Sequence, residues 1–167
     1  LLSRLRVRTW VGEGDAMRFG TPFSLIAPLV LRIAEIEERD DPDARRAKLV
    51  ARVERVLPGG EAPDVAAFLG EVAGVLFPEE GNPRLLAARQ SPLVMALRVR
   101  DAFLAFVGAE LAQGPLLVML EDVHWGDWPS MRLVDQLLAA FEGAPLLVLA
   151  VGRPDVDRLF PELWSSH

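Results

Sequence analysis

Glu121 and Asp122 stand side by side at the end of an apolar run, in the stretch "LLVMLEDVHWGDW" that spans residues 116 to 128. Neighbouring residues of a strand point to opposite sides. One carboxylate can therefore serve a hydrated Mg²⁺, which wants hard oxygen ligands and keeps most of its waters, while the other orients or deprotonates an attacking water. A second apolar run, "LLVLAV", ends just before Arg153. A guanidinium one strand away can neutralise charge on a terminal phosphate. Two acids and one arginine are the parts that phosphoryl transfer needs. A plainer reading stands beside this one. A strand leaving the core needs polar residues, and acids ahead of a helix favour its dipole.

The residues that follow carry weaker signals. His124 has no partner at H-E-x-x-H or other metal-ligand spacing, and His167 lies at the far end of the sequence. It reads as a hydrogen-bonded structural histidine. Trp125 and Trp128 read as packing this loop against the helical middle of the chain, with stacking on a base as the alternative. Asp127 reads as a helix cap rather than a catalytic acid. Ser130 lies in a helix first turn without a G-x-S-x-G around it, which excludes a nucleophile elbow. "VGEGDAMRFG" lacks the G-x-G-x-x-G order, so Gly12, Gly14 and Gly20 read as turn residues.

Elements must hold these groups in place. "PLLVMLED" and "APLLVLAVGRP" are short, continuously apolar strands suited to burial on both faces. The helix "DWPSMRLVDQLLAAFEG" lies between them, with Met131, Val134, Leu138 and Phe141 on one side. Strand, helix, strand with short connections makes a parallel crossover unit, and ligands of such sheets bind beyond the carboxyl ends of the strands. Upstream, Arg4 to Trp10 alternates as a half-buried strand. Residues 22 to 113 then form an all-helical insertion. Thr21 and Pro22 suit the start of its first helix, which Pro28 should kink or delay. A second helix runs from Pro42 to Leu57 behind Asp41, and a third covers "APDVAAFLGEVAGVLF". "PEEGNPR" is a turn. A long helix runs from Pro92 to Ala112, with Leu93, Leu97, Leu104, Val107 and Leu111 on its apolar face. "DVDRLFPELW" starts one more short helix.

The 167 residues fit one domain, 51% of them hydrophobic, which is enough for a sizeable core. The net charge of −6 and the lack of any basic run argue against direct nucleic-acid binding. With no cysteine there is no disulfide framework and no thiolate metal site. No apolar run reaches transmembrane length, so no membrane partner is expected. Leu1 is not an initiator residue, and the chain is expected to start inside a longer protein.

"PLLVMLEDVHWGDWPSMRLVDQLL" resembles the Walker B segment of AAA ATPases of the origin-recognition type, within the signal-transducing P-loop NTPases known as STAND proteins. "LLVLAVGRP" resembles the sensor strand that follows it, and "GEGDAMRFGTPFSLIAPLV" the segment after the second strand. The resemblance covers most of the chain in order. It implies an α/β fold: a three-stranded parallel sheet remnant of a P-loop NTPase with a large helical insertion. The strands present would be the second (Arg4–Trp10), third (Pro115–Leu120) and fourth (Leu146–Val151) of a 5-1-4-3-2 sheet, with the fourth at an unpaired apolar edge. By position, Glu121 falls on the Mg²⁺-linked acid, Asp122 on the water-activating acid and Arg153 on the arginine that reads the terminal phosphate. His124, Trp125 and Asp127 fall on the H-W-x-D signature, with a structural or coupling role. The cofactors implied are ATP and Mg²⁺. The implied setting is a cytoplasmic bacterial regulator with an attached kinase, cyclase or DNA-binding LuxR-type domain.

Two departures matter. The commoner order of the acids is Asp then Glu, and the shorter carboxylate at the base position here implies slow hydrolysis. No G-x-x-x-x-G-K-S/T occurs, and Lys48, the single lysine, sits mid-helix. The family carries that loop just upstream of the first strand. The chain then holds the Walker B and sensor half of an ATPase and is inactive by itself. The competing expectation is a nucleotide-free helical scaffold or protein-interaction domain.

Overall fold

The computed structural model describes residues 7–161 and Trp164. The described chain is mixed α/β, with three strands and seven α-helices. It divides into two compact units: a sheet unit, built from the chain up to Leu29 and from Glu110 onward, and a helical unit, Val30–Ala109.

The sheet unit holds β1 (Arg8–Glu13), β2 (Leu116–Glu121) and β3 (Leu146–Ala150), in the order β1-β2-β3 and all parallel. The central strand is apolar on both faces because both are covered. Leu116, Leu117, Val118 and Leu120 are all buried. Each such side chain stabilises the fold by roughly 1.5–3 kcal/mol relative to exposure. Helix α6 (Trp128–Ala140) makes the crossover to β3 and buries Met131, Leu133, Val134 and Leu137. The expected face is right at Met131 and Val134, while Leu138 and Phe141 are only half-buried.

β1 differs from its expected range. Leu1 to Arg6 lie outside the described residues, and the strand runs on to Glu13 rather than stopping at Trp10. Its inward positions are Trp10 and Gly12. A Cβ on Gly12 would sit 2.8 Å from the Leu25 carbonyl oxygen, so this inward position has no side chain to reveal the alternation. Arg8 is not a solvent-facing strand residue either. Its guanidinium pairs with the carboxylate of buried Glu110 and donates to the backbone carbonyls of Glu110 and Gly114. It thereby satisfies the carbonyls at the C-terminus of helix α5 (Pro92–Leu111).

β3 is an edge strand, as expected. It pairs with β2 on one side, and Leu147, Leu149 and Val151, alternate residues on one face, are 63%, 46% and 53% exposed. Helix α1 (Ile26–Ile33) starts later than Thr21 and Pro22 suggest, because Phe23 adopts a left-handed backbone with φ 61. Pro28 is tolerated in the first turn, where no intrahelical N–H bond is needed. The short α7 covers Val156–Leu159.

In the helical unit, α2 (Pro42–Glu54) is capped by Asp41, which accepts from the Ala44 N–H at 2.8 Å. α3 (Ala62–Ala73) packs along α2 and stops at Gly74, whose φ of 71 lies in the left-handed region that favours glycine. α4 (Pro83–Arg89) replaces part of the expected turn. Asn82 caps it through the Leu85 N–H, and Pro83 takes the first helical position. Arg89 bridges Glu71 and Glu79, and the Glu71 hydrogen bond raises the pKa of its guanidinium. The expected face of α5 holds only in part: Val107 and Leu111 are buried as expected and Leu104 is half-buried, but Leu93 and Leu97 are 72% and 43% exposed, and Val99, Ala102, Phe103 and Phe106 are buried in their place. Lys48 bonds Asp40 at 2.6 Å and the Glu35 carbonyl at 2.9 Å, a structural role.

Candidate functional site

The carboxyl ends of all three strands form one rim. β2 delivers Glu121 there, in register with Glu13 of β1, and both residues are exposed. Backbone bonds tie the following turn to both neighbours. The Gly14 N–H donates to the Glu121 carbonyl at 2.9 Å, the Val123 N–H to Val151 at 3.1 Å, and the Val151 N–H to Leu120 at 2.8 Å. Asp122 sits between these ties with a left-handed backbone, φ 50 and ψ 41, and a side chain 58% exposed. A 3₁₀ turn, Val123–Trp125, follows and leads into α6.

Glycines allow the strands to close on this turn. A Cβ on Gly14 would lie 2.3 Å from the Asp122 carbonyl oxygen. One on Gly152 would lie 2.7 Å from a Val123 methyl, and one on Gly126 would lie 2.4 Å from the Met131 methyl. Of the three glycines expected to be turn residues, Gly20 alone has a positive φ; Gly12 and Gly14 are required by close approach.

Arg153 follows Gly152 at the end of β3 and reaches the same turn. Its backbone N–H donates to His124 Nδ1 at 3.5 Å, and its guanidinium carbon lies 6.0 Å from the centroid of the Trp125 ring. His124 is 3% exposed, tilts against Trp125 at 4.9 Å, and holds Nδ1 3.9 Å from an Asp122 carboxylate oxygen. The two acids, His124, Trp125 and Arg153 are therefore neighbours on one rim.

Asp127 does different work. It is buried, caps α6 through the Ser130 N–H at 2.9 Å, and accepts from the Ser130 hydroxyl at 2.7 Å. It also accepts from the Phe23 N–H at 2.8 Å, the Ser24 hydroxyl at 2.9 Å and the Leu25 N–H at 3.4 Å. The expected cap is present, with a second task that spacing could not reveal. It holds the segment between β1 and α1 against the start of α6, and this fixes the left-handed Phe23. Trp128 is 55% exposed and meets Phe160 edge-on at 5.3 Å, while Trp125 meets Phe19 edge-on at 5.9 Å, both ring contacts lying within the sheet unit.

No known protein family, curated protein or solved structure matches the chain.

Among the described residues, no group of three or more His, Asp or Glu side chains could hold a metal ion. His167 lies outside them. Among the described residues the rim thus offers no protein-held metal cage. Two clefts lie in the helical unit, one lined by Asp64, Phe68, Arg84 and Arg98, the other by Asp40, Arg45 and Arg46. Glu13 is the rim residue that sequence reasoning missed. Its position beside Glu121 depends on strand register, which no local pattern reports. No helix among the described residues is long and apolar enough to cross a membrane.

Proposed function

We propose that this chain is the Walker B and sensor half of an ATP-binding, slowly hydrolysing regulatory module of a cytoplasmic signal-transduction protein. The observation that carries the reading is the placing of Glu121 and Asp122, at the end of β2, and Arg153, just past the end of β3, on the carboxyl side of one parallel sheet, with His124 beside both Asp122 and Arg153. The order β1-β2-β3 also agrees with strands two, three and four of the related sheet. The bare apolar edge of β3 is where the strand leading into an upstream phosphate loop would pair.

In this reading Glu121 would hold Mg²⁺ through water, and the ion would supply an offset to charge on the phosphate oxygens. Asp122 orients the attacking water and takes its proton as the new P–O bond forms and the terminal phosphoanhydride bond breaks, releasing ADP. Arg153 neutralises the negative charge gathering on the transferred group. The upstream loop contributes backbone N–H groups, the phosphate lysine and a Mg²⁺-binding hydroxyl. Lys48 is committed to Asp40 and is not that lysine. An attached kinase, cyclase or DNA-binding domain reads the nucleotide state.

A longer chain that includes the preceding segment tests this through labelled-ATP binding and phosphate release. Asp122→Asn keeps binding and loses turnover, Glu121→Gln weakens the Mg²⁺ dependence, and Arg153→Ala lowers both. Undiminished turnover in Asp122→Asn removes the base assignment. A second reading, a nucleotide-free interaction domain, is favoured by exposed Leu93 and Leu97, one turn apart on α5. Failure of the longer chain to bind ATP at all decides for it.

A further inference from the structure

His124 is the most deeply buried polar side chain of the rim, and its two ring nitrogens have unlike surroundings. Nε2 is fully buried with no hydrogen-bond partner. Nδ1 faces the Arg153 N–H at 3.5 Å and the Asp122 carboxylate at 3.9 Å. A phenyl ring would fill the same space without leaving a buried nitrogen unpaired. What the imidazole adds is a single acceptor, placed between the end of β2 and the end of β3.

We infer that His124 is a positioning residue that holds the Arg153 main chain beside the Asp122 turn by accepting the Arg153 N–H at Nδ1. The distances define its form. A nitrogen that accepts from the Arg153 N–H carries no proton, so the neutral ring holds its proton on Nε2. The bond fixes the main chain of Arg153 just after Gly152, whose missing Cβ lets this segment lie against Val123. The Trp125 ring, leaning on the same imidazole, faces the guanidinium from below. Backbone and side chain of Arg153 are thus each met by one of two consecutive residues, which follow Asp122 after the intervening Val123. A shift in the Asp122 turn reaches Arg153 through His124 without passing along β3. That this matters for turnover rests on the proposed ATPase reading; the positioning itself does not.

The test uses isotope-labelled chain. Nitrogen shifts of the His124 ring should report a neutral tautomer protonated at Nε2, and a proton on Nδ1 overturns the inference outright. Amide exchange gives the second measurement. His124→Phe keeps the ring and removes the acceptor, so exchange at Arg153 should speed up by about tenfold or more while Val123 and Val151 stay within about threefold. His124→Asn, with an oxygen near the Nδ1 position, should restore protection at Arg153. Unchanged exchange at Arg153, or an equal rise at all three amides, reduces His124 to a space-filler. If His124→Phe does not fold, the tautomer of the natural chain and the Asn variant decide. In a longer ATP-hydrolysing chain, His124→Phe should lower kcat by about tenfold and leave KM within about twofold. A longer chain that never binds ATP defeats the ATPase reading alone, since ring tautomer and amide exchange are read without nucleotide.

Discussion

Asp127→Ala should be the most damaging single change in the stretch from Glu121 to Trp128. The substitution removes an acceptor of five hydrogen bonds at a site 5% exposed. Loss of the α6 cap costs about 1–2 kcal/mol. The Phe23 and Leu25 N–H groups lose their acceptor, at about 1–3 kcal/mol for each one left buried and unpaired. The hydroxyls of Ser24 and Ser130 can turn toward other acceptors and add less. The sum is about 3–8 kcal/mol, a large part of the roughly 5–15 kcal/mol that stabilises a domain. With a urea dependence of about 2 kcal/mol per molar, the unfolding midpoint should fall by roughly 1.5–4 M. Asp127→Asn keeps one carbonyl oxygen and should cost about 1–2 kcal/mol. Asp122→Asn is the control. Asp122 is 58% exposed and makes no capping bond, so its loss should cost less than about 0.5 kcal/mol. Urea titration of all three variants separates the structural acid from the chemical one. A shift below about 0.5 M for Asp127→Ala, or an equal shift for Asp122→Asn, would refute the division of labour.

Gly14→Ala drives a methyl to within 2.3 Å of the Asp122 carbonyl, so the turn must move; a loss of about 1–3 kcal/mol and shifted Asp122 and Trp125 resonances are expected. Unaltered spectra count against the close approach. Replacing both Leu147 and Leu149 by Lys on the open face of β3 should raise solubility and leave the unfolding free energy within about 0.5 kcal/mol, read by light scattering and urea denaturation. A large loss of stability would mean that the face is covered. The Asp40 carboxyl is held below its ordinary value of 3.8 chiefly by the Lys48 hydrogen bond. A lowered folded-state pKa contributes stability that is present above the ordinary value and lost as pH falls through the lowered one. Lys48→Met should therefore shrink the acid-side slope of the urea midpoint below about pH 5, and an unchanged slope argues against the pairing.

Much of this architecture was legible because its signals are local. The apolar runs of β2 and β3 end where chemistry changes abruptly, and Asp41 and Asp127 announce α2 and α6 as N-caps. What stayed hidden depends on partners distant in sequence. β1 could not be read past Trp10 because its next inward residue is Gly12, shaped by Leu25 and Leu120 rather than by its own neighbours. Glu110 sits in the buried face of α5 because Arg8, far away in the chain, neutralises it. The exposed Leu93 and Leu97 misled the reading of α5, since periodicity reports an apolar face without saying what covers it. α4 did leave a signal, Asn82 followed by Pro83, but a helix this short lacks the repeats that would separate it from a turn. At the rim, Glu121, Asp122 and Arg153 could be singled out by type and position. The links of His124 and Trp125 to Arg153 required the parallel register of β2 and β3.

The left-handed backbone of Asp122 bears on the unusual order of the two acids. Aspartate and asparagine enter that region far more readily than longer side chains, for which it costs roughly 1–2 kcal/mol. Exchanging the pair, with Glu121→Asp and Asp122→Glu, would recover the commoner succession only by forcing a glutamate into this bend. The main chain, pinched between Gly14 and Gly152, thus selects the shorter acid at the second position whatever the reaction would prefer. In the proposed ATPase reading, slow turnover is then a by-product of how the strand exits, and a faster enzyme of that kind would need a differently shaped exit before it could use a longer carboxylate.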